Sequence, residues 1–137
     1  PSKHDSMQTK LRLILYGILT WLIPFGISLF LYGPDGTLTI GIFAFKSLMI
    51  ISGAASGALL IYLYLRSLPG KIEWLTAGVT IGISWLLINW ALDLLVMVTL
   101  FGMSGPEWFI EIGSRYLVIP AMAILAGATA ELGREKE

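Results

Sequence analysis

Residues 74–101 read WLTAGVTIGISWLLINWALDLLVMVTLF, an apolar run of 28 residues whose one charge is Asp93. About 20 apolar residues carry an α-helix across a hydrocarbon core of about 30 Å, so this run decides the class: it is a membrane span. At about 1.5 Å per residue it is about 42 Å long and must tilt or project beyond the bilayer.

Three further stretches share this character: 13–32, 38–65 broken by Lys46, and about 108–130. Composition agrees, because 56% of the 137 residues are hydrophobic and 13% charged, with a mean hydropathy of +0.81. Soluble domains run at roughly 45–50% apolar and 25% charged. The expected fold is an all-α, integral membrane four-helix bundle forming a single transmembrane domain, with helices at about 13–32, 42–65, 74–101 and 107–130. The second begins near Ile42 because TLTIG at 37–41 carries β-branched residues and a glycine. The run at 13–32 is too long for a signal-peptide core and no small-residue cleavage site follows it, so it reads as a permanent span. MQTKLR at 7–12 reads as a natural start, so PSKHDS at 1–6 is expected to be an addition ahead of it, leaving His4, the one histidine, without a role.

Lys3, Lys10 and Arg12 precede the first span, Arg66 and Lys71 lie between the second and third, and Arg134 and Lys136 follow the fourth. The loops at 33–37 and 102–107 carry Asp35 and Glu107 and no Lys or Arg. The positive-inside bias therefore puts both termini on the cytoplasmic side of the cell membrane. Tyr62, Tyr64 and Trp74 are expected as inner interfacial anchors, and Tyr32, Phe101, Trp108 and Phe109 as outer ones. GPDG at 33–36, LPG at 68–70 and GMSGP at 102–106 are turn chemistry, combining glycine's access to positive φ with proline's fixed φ.

Helices in lipid associate by close contact rather than by a hydrophobic drive, so small residues four apart mark contact faces. At about 100° per residue, Gly78, Gly82, Trp85, Asn89, Asp93 and Val96 share one face of the third helix. Lys46, Ile50, Gly53, Gly57 and Tyr64 align on the second helix. Glu111, Arg115, Val118, Met122, Ala126 and Thr129 align on the fourth, and Gly17, Trp21, Pro24 and Ser28 on the first. The Gly53/Gly57 or Gly78/Gly82 face could equally build a homodimer, and the lipid bilayer is the one partner that composition requires.

Lys46, Asp93, Glu111 and Arg115 form an intramembrane charge cluster whose charges sum to zero. A lone charge at the bilayer centre costs roughly 2.5–3.5 kcal/mol on insertion scales, so such residues pair, face a wet cavity, or mark a pathway. With one continuous fourth helix, Asp93 and Arg115 each lie about 13 Å below the outer turn and Lys46 about 6 Å below Ile42. Asp93 is therefore expected to contact Lys46 or Arg115, with Asn89 one turn below as hydrogen-bond partner. Glu111 and Arg115 stand at the spacing of an intrahelical pair. The candidate ligand-binding residues are Lys46, Trp85, Asn89, Asp93, Glu111 and Arg115.

No cysteine is present, so thiolate metal sites and thiol nucleophiles are excluded. Haem ligation, a zinc-protease helix, a nucleophile elbow and phosphate-binding glycine loops lack their residues as well. No cofactor, no metal, no nucleic acid and no enzymatic activity are expected. Small multidrug-resistance transporters carry an essential acid in their first helix, and 13–32 has none, which argues against drug/proton antiport.

LRLILYGILTWLIPF at 11–25, the W-x-x-x-N-x-x-x-D spacing of Trp85, Asn89 and Asp93, and EIGSRYLVIP at 111–120 resemble uncharacterised small four-span membrane proteins of archaea and bacteria. That resemblance covers nearly all of 7–130 and implies four membrane helices without an established activity. Two functions follow as expectations. The first is a small membrane protein that binds or transports an ion or small polar solute through the outer-half polar site, as a homo-oligomer if a route is needed. The alternative is a structural or accessory subunit whose buried charges only specify helix packing or partner choice.

Overall fold

The computed structural model describes residues 3–70 and 72–137, with the side chains of 3–5 outside the description. The side chains of Lys3 and His4 and the whole of Lys71 therefore lie outside the described residues. The helices are α1 (Lys3–Leu29), α2 (Ile42–Ser67), α3 (Trp74–Leu94), α4 (Gly105–Glu111) and α5 (Val118–Glu135). A π-helical segment, Leu95–Leu100, extends α3, and a 3-10 segment, Gly113–Leu117, joins α4 to α5. Four spans are long and apolar enough to cross a membrane: Ser6–Leu29, Ile42–Ser67, Trp74–Leu100 and Gly113–Glu135. The protein is an all-helical bundle of four membrane-spanning helices with one short extra helix.

Helix α2 starts at Ile42, as the TLTIG stretch requires. Helix α1 ends at Leu29 instead of continuing to Tyr32, since residues 27–31 tighten into i→i+3 hydrogen bonds ahead of the turn. It also begins earlier than the apolar run, at Lys3, because Gln8, Thr9 and Lys10 continue a helix into water without hindrance. In the turn, Gly33 and Thr37 close a tight loop with Gly36 at φ +79°. The Asp35 carboxylate accepts from the Thr37 amide at 3.1 Å and from its hydroxyl at 2.8 Å. Those bonds hold the Asp35 carboxyl below its ordinary value of 3.8. A lowered folded value means the contribution is complete above 3.8 and fades only as pH falls through it, so the Thr37 amide shift in NMR is expected to stay constant from neutral pH to pH ~5. At 68–70 the break comes from Pro69, which drives Leu68 to ψ 151°. Among the described residues the positive-φ glycines are Gly36 and Gly102, so Gly70 does not use that freedom.

The bundle is organised on α3. All five of Gly78, Gly82, Trp85, Asn89 and Asp93 are buried, as the stripe predicts. Val96 drifts to a half-buried position because the wider π winding turns the chain through a smaller angle per residue. Both glycines of the stripe receive α5: a Cβ on Gly78 would collide with the Ala123 carbonyl oxygen, and one on Gly82 would stand 2.8 Å from the Pro120 Cα. Gly57 of α2 faces the Met122 methyl group, and Gly53 approaches Pro24. Both glycine pairs named as dimer faces are thus occupied within the chain.

Trp85 is a core residue. Its ring packs beside Gly17 of α1 and edge-on to Tyr64, and its indole N–H donates to the Leu13 carbonyl at 2.8 Å. Tyr64 is accordingly buried rather than interfacial, whereas Tyr62 is exposed.

At one end, Glu131 of α5 accepts from the Trp74 amide at 2.9 Å and pairs with Arg134, whose other nitrogen reaches the Ile72 carbonyl. A carboxylate from a neighbouring helix thereby caps the first turn of α3, favourable at the positive end of the helix dipole.

The fourth span departs from a continuous helix at 107–130. Ser104 caps α4 by accepting from the Glu107 amide, and Ile112, at φ −131°, ends it. The helical phase cannot be carried across that break. The buried face of α5 is consequently Ile119, Ala123 and Gly127, with Val118 and Thr129 exposed and Met122 and Ala126 half-buried.

Candidate functional site

Asp93 sits seven residues inside the C-terminal end of its span, about 10 Å at the usual helical rise, and is 7% exposed. Its Oδ1 accepts from the Trp21 indole at 3.0 Å and from the Tyr116 hydroxyl at 2.9 Å, and its Oδ2 accepts from the Trp108 indole at 2.5 Å. The donors come from α1, from the 3-10 segment and from α4. Each is neutral, and each belongs to a ring whose apolar body suits the membrane interior while one polar edge needs a partner. A carboxylate has only acceptors to offer, so donors and acceptor satisfy one another. Hydrogen bonds to a charged group contribute roughly 1.5–3 kcal/mol each, enough in sum to offset the insertion cost of one ionised acid.

Local sequence explains how the donors arrive. S-G-P-E at 104–107 starts a helix with a capping serine and a proline in the first turn, so α4 begins beyond the π segment and turns back over α3. Gly113 has no side chain, and a Cβ there would stand 2.8 Å from the Trp108 ring. The ring therefore lies on the backbone and reaches down to Asp93. The Trp90 indole donates to the Gly113 carbonyl at 2.9 Å, fixing the same turn from α3. Trp21 is held in place by stacking on Phe25, with ring centroids 4.7 Å apart.

Asn89, fully buried, belongs to a second, adjoining chain of bonds. Its Nδ2 donates to the Thr20 hydroxyl at 2.7 Å and to the Trp85 carbonyl at 2.8 Å, and Thr20 in turn donates to the Gly17 carbonyl. Because a backbone carbonyl can only accept, the amide orientation is determined, and Asn89 Oδ1 is left buried without a partner among the described residues.

The expected neutralising quartet is not assembled. Lys46 pairs with Glu111 at 3.8 Å, with side chains 41% and 51% exposed. The Arg115 side chain makes no hydrogen bond or ion pair among the described residues, and Glu111 and Arg115 do not pair with each other. Asp93 contacts neither cation, and Asn89 bonds to Thr20 rather than to Asp93. The reason is the break at Ile112. It moves Arg115 from mid-leaflet to the mouth of its span, two residues from Gly113, and releases Glu111 toward Lys46.

Trp85 lies on the same face as the site, but as core. Four residues that complete the polar centre, Thr20, Trp21, Trp108 and Tyr116, were not among the candidates. Trp108, expected as an interfacial anchor, is buried. The S-x-x-E start at 104–107 and the glycine at 113 were the signals that could have revealed a separate cap helix.

No family model, curated protein or solved structure matches the chain.

Proposed function

We propose that the protein is a structural or accessory membrane subunit, with both termini cytoplasmic, in which Asp93 is the anchor that holds an outer cap, α4 and the 3-10 segment, onto the bundle. The carrying observation is that three donors from three separate elements converge on the Asp93 carboxylate. They take three of its roughly four acceptor sites, and the geometry suits a packing role for this buried charge. The cap in turn presents Phe109, Ile110 and Glu111 at the outer boundary, a surface through which an accessory subunit would meet its partner.

A second reading, binding or transport of an ion or small polar solute, is favoured by one observation, the unpartnered Asn89 Oδ1 next to this network. Thermal denaturation of the purified protein separates the two. On the structural reading, sodium, potassium and magnesium salts shift the melting of the wild-type chain no more than they shift that of Asp93→Asn, which itself melts lower. An ion that stabilises the wild-type protein, and fails to stabilise a folded Asp93→Asn variant, would overturn it in favour of binding.

A further inference from the structure

Between α2 and α5, near the end where α2 stops and α3 begins, the bundle is open. Gly57 of α2 faces the Met122 methyl group, and alongside that contact, with Met122 in its lining, lies a groove of about 640 Å³. Ala58, Leu65, Ala126 and Ala130 line it, and the small side chains account for its width. From Ala58 to Arg66 it runs eight residues, about 12 Å at the helical rise, close to the half-thickness of a hydrocarbon core of about 30 Å. Its walls are almost wholly apolar, but its mouth is not. Arg66 lies there, exposed and without an ion pair among the described residues, beside Trp74 and Tyr62. Glu131 pairs with Arg134, and the Glu73 carboxylate, next to Trp74, accepts from the Thr76 hydroxyl at 3.0 Å. The guanidinium at the mouth is therefore left without a carboxylate partner among the described residues, at the level where amphipathic rings meet headgroups.

We infer that this groove is a binding site for one anionic phospholipid, with an acyl chain along α2 and α5 and the phosphate against Arg66. A leaflet-deep apolar slot ending in a free guanidinium has the shape and charge of such a lipid, and a guanidinium suits phosphate oxygens through paired N–H donors. The site is independent of the Asp93 centre, so neither reading of that centre is needed for it.

Native mass spectrometry of the detergent-solubilised chain, mixed with equal amounts of phosphatidylglycerol and phosphatidylcholine, tests the assignment. One phosphatidylglycerol is expected to be retained per chain in preference to phosphatidylcholine. Arg66→Ala should reduce that preference about fivefold, the effect of one basic residue at an anionic surface, while Arg66→Lys keeps most of it. Ala126→Phe, or Ala58→Phe at the more exposed wall, should block retention of both lipids while helicity is unchanged. Equal retention of the two lipids by the wild-type chain, unchanged preference in Arg66→Ala, or unchanged retention in both filled-groove variants would each overturn the proposal. So would a dimer that the filled-groove variants abolish, because the occupant would then be a second copy.

Discussion

Asp93→Leu is expected to lower the stability of the folded bundle by about 3 kcal/mol, since it strands the Trp21, Trp108 and Tyr116 donors in an apolar interior at a cost of about 1–3 kcal/mol each, part of which the added apolar contact of leucine returns. Reversible unfolding in mixed detergent measures it. The loss should appear first in the cap, as faster hydrogen exchange over 105–117 than over α3. Trp108→Phe removes one donor and leaves the carboxylate two, so its expected cost is smaller, about 1 kcal/mol. A variant combining Asp93→Leu with Trp21→Phe, Trp108→Phe and Tyr116→Phe should regain part of the stability, because removing both sides of a buried hydrogen bond leaves nothing unpaired. Asp93→Leu with wild-type stability and an unchanged cap would show that the convergence of donors is incidental to the fold.

Gly78→Leu should be at least as severe. Helices α3 and α5 approach so closely at this point that a Cβ would meet the Ala123 carbonyl oxygen and stand 3.1 Å from the Gly127 Cα, both backbone atoms that cannot rotate away. Overpacking costs roughly 1–3 kcal/mol where side chains can yield, and a backbone-to-backbone contact places this site at or above about 3 kcal/mol. The same unfolding assay reads it, and Gly78→Ala should lie part-way. Gly26→Ala is the control: the added methyl meets nothing within 4 Å there, so the gain in helix propensity should leave stability equal or slightly higher. Equal effects of Gly78→Leu and Gly26→Ala would mean that α3 and α5 do not meet through this glycine.

Gly78 and Asp93 also show how far the residues could be read in isolation. Both were legible as members of one inward face of α3, because a helix repeats every 3.6 residues and a charge or glycine in an apolar run stands out against its neighbours. The partner of Asp93 was not legible. Charge balance pointed to Lys46 and Arg115, yet a carboxylate can be satisfied by any N–H or O–H, and indoles and a phenol reach it here. Thr20 gave no signal of its own, being an unremarkable residue in α1 whose hydroxyl matters only because Asn89 faces it.

Trp108 and Arg115 were misplaced for one shared reason, the extrapolation of a single helix from 107 to 130 through Ile112 and Gly113. Once the chain breaks there, depth and phase on its two sides become independent. Trp108 moves inward from the boundary and Arg115 moves outward to it.

The membrane class, the four spans, the start of α2 at Ile42 and the inward stripe of α3 were determined by the sequence alone. Each depends on transfer of apolar side chains and on helical period, quantities local to a stretch of chain. Which helix receives Gly78, which rings fill the Asp93 carboxylate and which acid meets Lys46 were decided only by the tertiary structure. Those contacts depend on the rotation of one helix against another and on where a loop folds back, and both are settled by packing between segments far apart in the chain.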